Sequence, residues 1–200
     1  MNRAAYDRIA SKWDEARRGL ARRERDYLDL LLADAPSGAL VLDAGCGTGR
    51  PMAEEVLHRG FAVHGIDQSG EMLAIARRRL PTGIWTMARL ETSVFGGPFA
   101  AAICWDALFH IDRAEHAPIL ARLRESLAPG GRLMLTCGGS DHPAFDDEMF
   151  GERFHYDSLT PAATVATLKA RGMRVLRADY LNLPTRGRDK GRFAVLAQRM

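Results

Sequence analysis

VLDAGCGTG, Val41 to Gly49, sets an apolar run directly before three alternating glycines, and its reading decides the fold. Ala39 to Ala44 is short, apolar and ended by glycine, the pattern of a buried strand. Gly45, Gly47 and Gly49 let the backbone turn sharply and come close to a ligand. Pro51 to Arg59 then places Ala53, Val56 and Leu57 on one helical face, and Gly60 suits the C-terminal cap. Strand, glycine loop and helix follow in order.

The alternation continues outward. Phe61 to Asp67 reads as a second strand, and Ser69 as the N-cap of a helix carrying Met72, Leu73, Ala76 and Leu80, stopped by Pro81. Ile84 to Ala88 is a weaker strand, Gly96-Gly97-Pro98 a turn, and Phe99 to Trp105 a strongly apolar strand. His116 to Leu127 has helical spacing, ends at Pro129-Gly130-Gly131, and is followed by a strand from Arg132 to Cys137. Gly138 to Tyr156 is polar and turn-rich, and is expected to be a long loop over a site. Thr160-Pro161 opens a last helix, closed by Gly172. Met173 to Tyr180 and Phe193 to Gln198 are strands with no helix between them, so they should pair antiparallel. The order predicts an α/β fold: a doubly wound, mostly parallel seven-stranded sheet with an antiparallel final strand and helices on both faces. Ligands of such sheets bind outside the carboxyl ends of the strands, where strand order reverses.

Composition narrows the function classes. A chain of 200 residues, 46% hydrophobic and 26% charged, is ordinary for one globular domain. No apolar run approaches the roughly 20 residues of a spanning helix, and the N-terminus lacks a signal-type stretch. Membrane association is not expected, and a cytoplasmic location is. Cys46, Cys104 and Cys137 have no CxxC spacing and are expected to be reduced and packed. A net charge of +3 does not call for a nucleic-acid partner. The basic stretches Arg17 to Arg25 and Arg186 to Arg192 read as a solvated helix face and a surface loop, with an anion-binding patch as the alternative.

The chemistry concentrates at the strand ends. A dinucleotide fingerprint needs GxGxxG, and here the third glycine, Gly49, comes one residue early. Asp43, just before the loop, would repel a pyrophosphate and suits a ligand ammonium or ribose. Asp67 closes the second strand about 20 residues on, where an acidic side chain accepts from ribose hydroxyls.

VLDAGCGTGRPMAEEVLHRGFAVHGIDQSGEMLAIARRRLP resembles the first half of class I S-adenosylmethionine-dependent methyltransferases. The resemblance continues through FAAAICWDALFHI (Phe99 to Ile111), LRESLAPGGRLMLT (Leu123 to Thr136) and RFHYDSLTPAATVATLKARGMRV, and is nearest to small single-domain members acting on metabolites. It implies a Rossmann-like methyltransferase domain at residues 37–200, preceded by an N-terminal helical lid at 1–36. It further implies S-adenosylmethionine as cosubstrate, a small-molecule acceptor, no metal, and a monomer or homodimer. On this likeness Asp43, Gly45, Cys46 and Gly47 surround the methionine and ribose, Asp67 holds the ribose hydroxyls, and Gln68 and Met72 flank the adenine. The family's glycine-aspartate pair after the third strand is replaced by Met87-Ala88-Arg89-Leu90-Glu91, which leaves the backbone of Arg89 or Leu90 to line the adenine pocket. Ala100 likewise stands where the family has an aspartate.

Trp105, Asp106, Phe109 and His110 follow the fourth strand, beside the expected methyl group. His110 is the candidate general base and Asp106 the residue that orients it or an acceptor, against a reading of His110 as a loop residue bonded to backbone. Tyr6 and Trp13 belong to the lid, and Tyr6 is the candidate contact to the methionine carboxylate, against simple packing. Asp141, His142, Asp146, Asp147, Glu148 and His155 are irregularly spaced and read as a solvated acidic cap rather than a metal site; the alternative for His155-Tyr156 is the lining of the acceptor pocket, where the resemblance places this stretch. Two rival readings remain beside the enzyme. One is a non-catalytic cofactor-binding or interaction module, suggested by Arg89 and Ala100; the other is a nicotinamide-dependent oxidoreductase, which the early glycine and Asp43 oppose.

Overall fold

The computed structural model describes residues 2–186 and 189–200. Gly187 and Arg188, within the basic run from Arg186 to Arg192, lie outside the described residues. The chain runs α1 (Arg3–Ala16), α2 (Arg22–Leu32), β1 (Leu40–Ala44), α3 (Met52–His58), β2 (Ala62–Asp67), α4 (Gly70–Arg79), β3 (Ile84–Met87), β4 (Phe99–Cys104), α5 (Arg113–Ser126), β5 (Leu127–Gly138), β6 (Phe145–Met149), β7 (Glu152–Tyr156), α6 (Pro161–Ala170), β8 (Met173–Asn182) and β9 (Arg192–Arg199).

The seven-stranded sheet has the order β3-β2-β1-β4-β5-β9-β8. β1 pairs parallel with β2 on one side, Val41 opposite Val63, and with β4 on the other, Val41 opposite Ala101. Chain order therefore reverses between β1 and β4, and their carboxyl ends open a crevice there. β9 is antiparallel to β8, as the missing helix between these last two strands predicts, and also to β5. Helices cover both faces. Ile119, Leu123 and Leu168 of α5 and α6 pack on one with Leu42, Ala102 and Leu135, while Tyr27, Leu31 and Val56 of α2 and α3 pack on the other with Val41, Ile103 and Leu196. Each fully buried Leu, Ile or Val among them contributes about 1.5–3 kcal/mol relative to exposure.

Local chemistry explains the helix starts. Ser69 accepts from the backbone N–H of Met72 at 3.2 Å, and Thr160 accepts from Ala163 at 3.1 Å with Pro161 following it. α5 begins at Arg113, earlier than its apolar spacing indicates, because the N-terminal turn precedes the residues that face the sheet. Pro129-Gly130-Gly131 does not interrupt the chain before β5. It lies inside that strand, where Gly130 takes φ +76° and the pairing with β4 shifts by three residues between Phe99–Leu127 and Ala101–Arg132.

Two expectations change. The segment from Gly138 to Tyr156 is not one long loop, since β6 and β7 form an antiparallel hairpin with Met149 opposite Glu152. Phe150 and Gly151 connect them, both at positive φ, +54° and +84°, a type I′ arrangement that matches strand twist. Within residues 1–36 the two helices part company. α2 is buried against the sheet, whereas α1 lies over the strand ends, where Ala5, Ile9 and Ala10 pack with Met72 of α4 and Phe154 of β7.

Candidate active site

The crevice at β1 and β4 is a solvent-open cleft. Its floor is the glycine loop. The N–H groups of Gly45 and Cys46 both donate to the carbonyl of Ile66, at 2.7 and 3.1 Å, which ties the loop to the end of β2. Gly45 has φ +84°, and a Cβ there would stand 2.4 Å from the Cβ of Ala107, so only glycine lets the two strand-end loops approach.

Asp67 secures the far side of this loop. One carboxylate oxygen accepts from Gly47 N–H at 2.8 Å and the other from Ser69 N–H at 2.9 Å. Burial raises the Asp67 carboxyl above its ordinary value, and these backbone donors act in the opposite direction. Asp43 is only 4% exposed, and burial, then the nearby Asp67, pushes its carboxyl up to about 7. Among the described residues no basic side chain is ion-paired with Asp43 or Asp67. Both carboxyls face the same cleft.

Cys46, Gly47, Gln68 and Met72 line the cleft beside them, and Leu90 closes the end beyond β3. Arg89 does not line it. Its side chain is exposed and pairs with Glu91 at 2.6 Å, while Glu91 reaches the cleft wall. A carboxylate is thus present in this stretch, two residues beyond Arg89. Arg122 holds the loop by donating to the carbonyls of Leu90 and Glu91, each at 2.8 Å.

The fourth-strand residues divide into two networks. Trp105 donates from its indole to Glu24 at 3.0 Å, and Glu24 also accepts from Arg17 at 2.9 Å and from Ala21 N–H at 2.9 Å. Burial works to raise the Glu24 carboxyl; the Arg17 charge and these donors outweigh it and hold the group below its ordinary value. Asp106 takes a left-handed backbone, φ +53°, and its carboxylate accepts from Arg192 at 2.7 Å and from Thr136 at 3.2 Å. Asp106 therefore anchors the loop to β9 and β5, and the expected orienting bond from Asp106 to His110 is not made. His110 instead faces Asn2, whose side-chain nitrogen lies 3.1 Å from Nδ1. Burial pushes the imidazole down to about 4, so the ring is neutral at pH 7.

From α1, Tyr6 and Trp13 line the cleft, with Tyr6 edge-on to His110 at 5.4 Å between ring centres. Burial raises the Tyr6 phenol well above its ordinary value, so it keeps its proton. α1 is fastened by Asp14 to Arg79 and by Asp7 to Ser69 of α4. Arg17, from the basic stretch Arg17 to Arg25, also lines the cleft, while Arg23 and Arg25 pair with Asp179 and Glu55.

On the hairpin, His155 Nδ1 meets Asp146 at 2.9 Å and Arg153 meets the same carboxylate at 2.6 Å. Among the described residues no three His, Cys, Asp or Glu side chains are placed to hold a metal ion. His142, Phe145 and Tyr156 line a second cavity with Phe109. No helix among the described residues is long and apolar enough to cross a membrane.

Residues 41–131 match the family model for a methyltransferase domain. The chain is 29% identical over 157 residues to a ubiquinone biosynthesis O-methyltransferase of Xanthomonas axonopodis pv. citri, covering 70% of this chain and 64% of that one. It is 36% identical over 115 residues to a trans-aconitate 2-methyltransferase of Pseudomonas paraeruginosa, covering 56% and 40%. The chain spans less than two thirds of the length of these curated relatives. A solved SAM-dependent methyltransferase structure from Methanosarcina mazei shares the fold with a TM-score of 0.73 at 21% identity, over 91% of this chain and 99% of that one.

Proposed function

We propose that the chain is a class I S-adenosylmethionine-dependent methyltransferase that transfers a methyl group from S-adenosylmethionine to a small-molecule acceptor, releasing S-adenosylhomocysteine. The observation that carries this reading is the pair of carboxyls, Asp43 and Asp67, turned into one cleft with no basic side chain paired to either among the described residues. Burying carboxylates without a counter-charge is costly. A cationic ligand with an ammonium and a ribose offsets that cost, whereas a pyrophosphate increases it.

Asp43 and the Gly45 and Gly47 backbone would hold the methionine and ribose portion, and Asp67 would accept from the ribose hydroxyls with the lone pairs left by its two backbone bonds. Gln68, Met72 and Leu90 would enclose the base, with Glu91 supplying the acidic neighbour. Arg89, exposed and turned to Glu91, has no side-chain part in it. α1 would act as the lid, bringing Tyr6 and Trp13 over the cofactor. When bound, the sulfonium supplies an already activated methyl carbon. The residues of this chain then act by holding acceptor and methyl in line and keeping water out, which accounts for most of the acceleration in such displacements. The free, buried state of Cys46, Cys104 and Cys137 supports a reducing, cytoplasmic setting, and we place the chain there as a monomer or homodimer.

Incubation of the full chain with methyl-labelled S-adenosylmethionine and fractionated metabolites should give one labelled product fraction with equimolar S-adenosylhomocysteine. Tight cofactor binding with no labelled product from any fraction would instead favour a non-catalytic binding module.

A further inference from the structure

His110 has its protonation pattern set by a residue far from it in sequence. The Asn2 amide is locked by a reciprocal pair with the backbone of His155: Oδ1 accepts from His155 N–H at 2.9 Å, and Nδ2 donates to the His155 carbonyl at 2.8 Å. That pair fixes which end of the amide is which. Nδ2, a donor only, therefore faces His110 Nδ1 at 3.1 Å. Nδ1 also lies 3.4 Å from the His155 carbonyl, but that carbonyl already accepts from Nδ2 at 2.8 Å, and a proton on Nδ1 would be driven against the nearer Nδ2–H at 3.1 Å; the arrangement favours Nδ1 as the acceptor and the ring proton on Nε2. Asn2 is 4% exposed and His110 7%, so the arrangement is shielded from exchange with solvent. Among the described residues Nε2 has no hydrogen-bond partner, and the ring forms part of the cleft wall.

We propose that Asn2 is a positioning residue that holds His110 as a neutral hydrogen-bond donor, through Nε2–H, to an acceptor that reaches the cleft already ionised as a carboxylate. This rests on the methyl-transfer reading above. A donor at this place stabilises an oxygen anion and opposes an amine, whose attacking lone pair it would occupy. A phenol or alcohol would need a base. His110 has no free lone pair to serve as one, and Asp106 is held by Arg192 and Thr136 with Arg17 3.8 Å away. A carboxylate resolves both conditions, because one oxygen accepts from Nε2–H while the other attacks. The attacking oxygen forms a bond to the methyl carbon as the carbon–sulfur bond breaks, the electron pair stays on sulfur, and no proton moves. The product is a methyl ester.

The full chain, labelled with ¹⁵N-histidine, tests the first half. The His110 signals, identified by their loss in His110→Gln, should report a protonated Nε2 and an unprotonated Nδ1 at both about pH 8 and about pH 6. A proton on Nδ1, or a charged ring at neutral pH, overturns the proposal. In Asn2→Asp the facing group becomes an acceptor, and the proton should move to Nδ1; an unmoved proton in folded Asn2→Asp overturns the positioning role. If that variant does not fold, the wild-type spectrum decides. The second half is read with methyl-labelled S-adenosylmethionine against di- and tricarboxylates, catechols and primary amines. Label that becomes volatile on alkaline hydrolysis is expected with carboxylates, at least about tenfold faster than with the others. Turnover of catechols or amines alone overturns it. Failure of wild-type protein to bind S-adenosylhomocysteine would count against the underlying methyl-transfer reading, and is separable because the tautomer is read without cofactor.

Discussion

Asp43→Asn is expected to stabilise the ligand-free chain above neutral pH while removing most of its affinity for S-adenosylmethionine. The Asp43 carboxyl is raised from 3.8 to about 7 in the folded chain, by burial first and then by Asp67. Between those values the folded chain keeps a proton that the unfolded chain has released. The resulting contribution to stability is complete below pH 3.8 and is lost as pH rises through about 7. Above that the charged group is buried in the folded state at a cost of up to about 4 kcal/mol, which asparagine avoids. His110 opposes this trend. Pushed down from 6.5 to about 4, it makes the folded chain lose stability as pH falls through that window. Denaturant unfolding of Asp43→Asn and wild type side by side isolates the Asp43 part: a difference that grows from about pH 5 to about pH 8 is expected. Loss of the charge-assisted contact should weaken cofactor binding by about 30-fold or more.

Gly45→Ala is expected to cost about 2–5 kcal/mol of stability and to abolish binding. The backbone at φ +84° costs a non-glycine residue about 1–2 kcal/mol, and a Cβ 2.4 Å from Ala107 adds about 1–3 kcal/mol of overpacking. Chemical denaturation of Gly45→Ala, Ala107→Gly and the double variant separates the two contributions. The double variant should recover the packing part of the Gly45→Ala loss and leave the backbone part.

Much of the fold was legible because it is written locally. The run from Ala39 to Arg59 carries its own strand, turn and helix signals, and Ser69 and Thr160 cap helices with bonds that span three residues. The hairpin at residues 145–156 was not legible, because Phe150-Gly151 replaces the Asn-Gly or Asp-Gly pair that marks such turns and the strands are dominated by charge. The candidate site divides in the same way. Asp43, the glycine loop and Asp67 are placed by strand ends and were found by spacing, and the structure brings them to one cleft. Contacts between distant segments carry no local signal: Arg192 to Asp106, Asn2 to His110, and Trp105 to Glu24 join residues that only the tertiary packing of helices and strands brings together. Glu91 was missed for a different reason. It sits two positions past Arg89, and loop geometry rather than residue order turned it to the cleft.

The paired carboxyls of Asp43 and Asp67 decide which ligand the cleft accepts. Calorimetric titration of the full chain with S-adenosylmethionine, S-adenosylhomocysteine and NADH should give one saturable site per chain for the first two, each displacing the other, and no heat of binding for the third. Saturable binding of NADH without binding of either adenosyl ligand would contradict it.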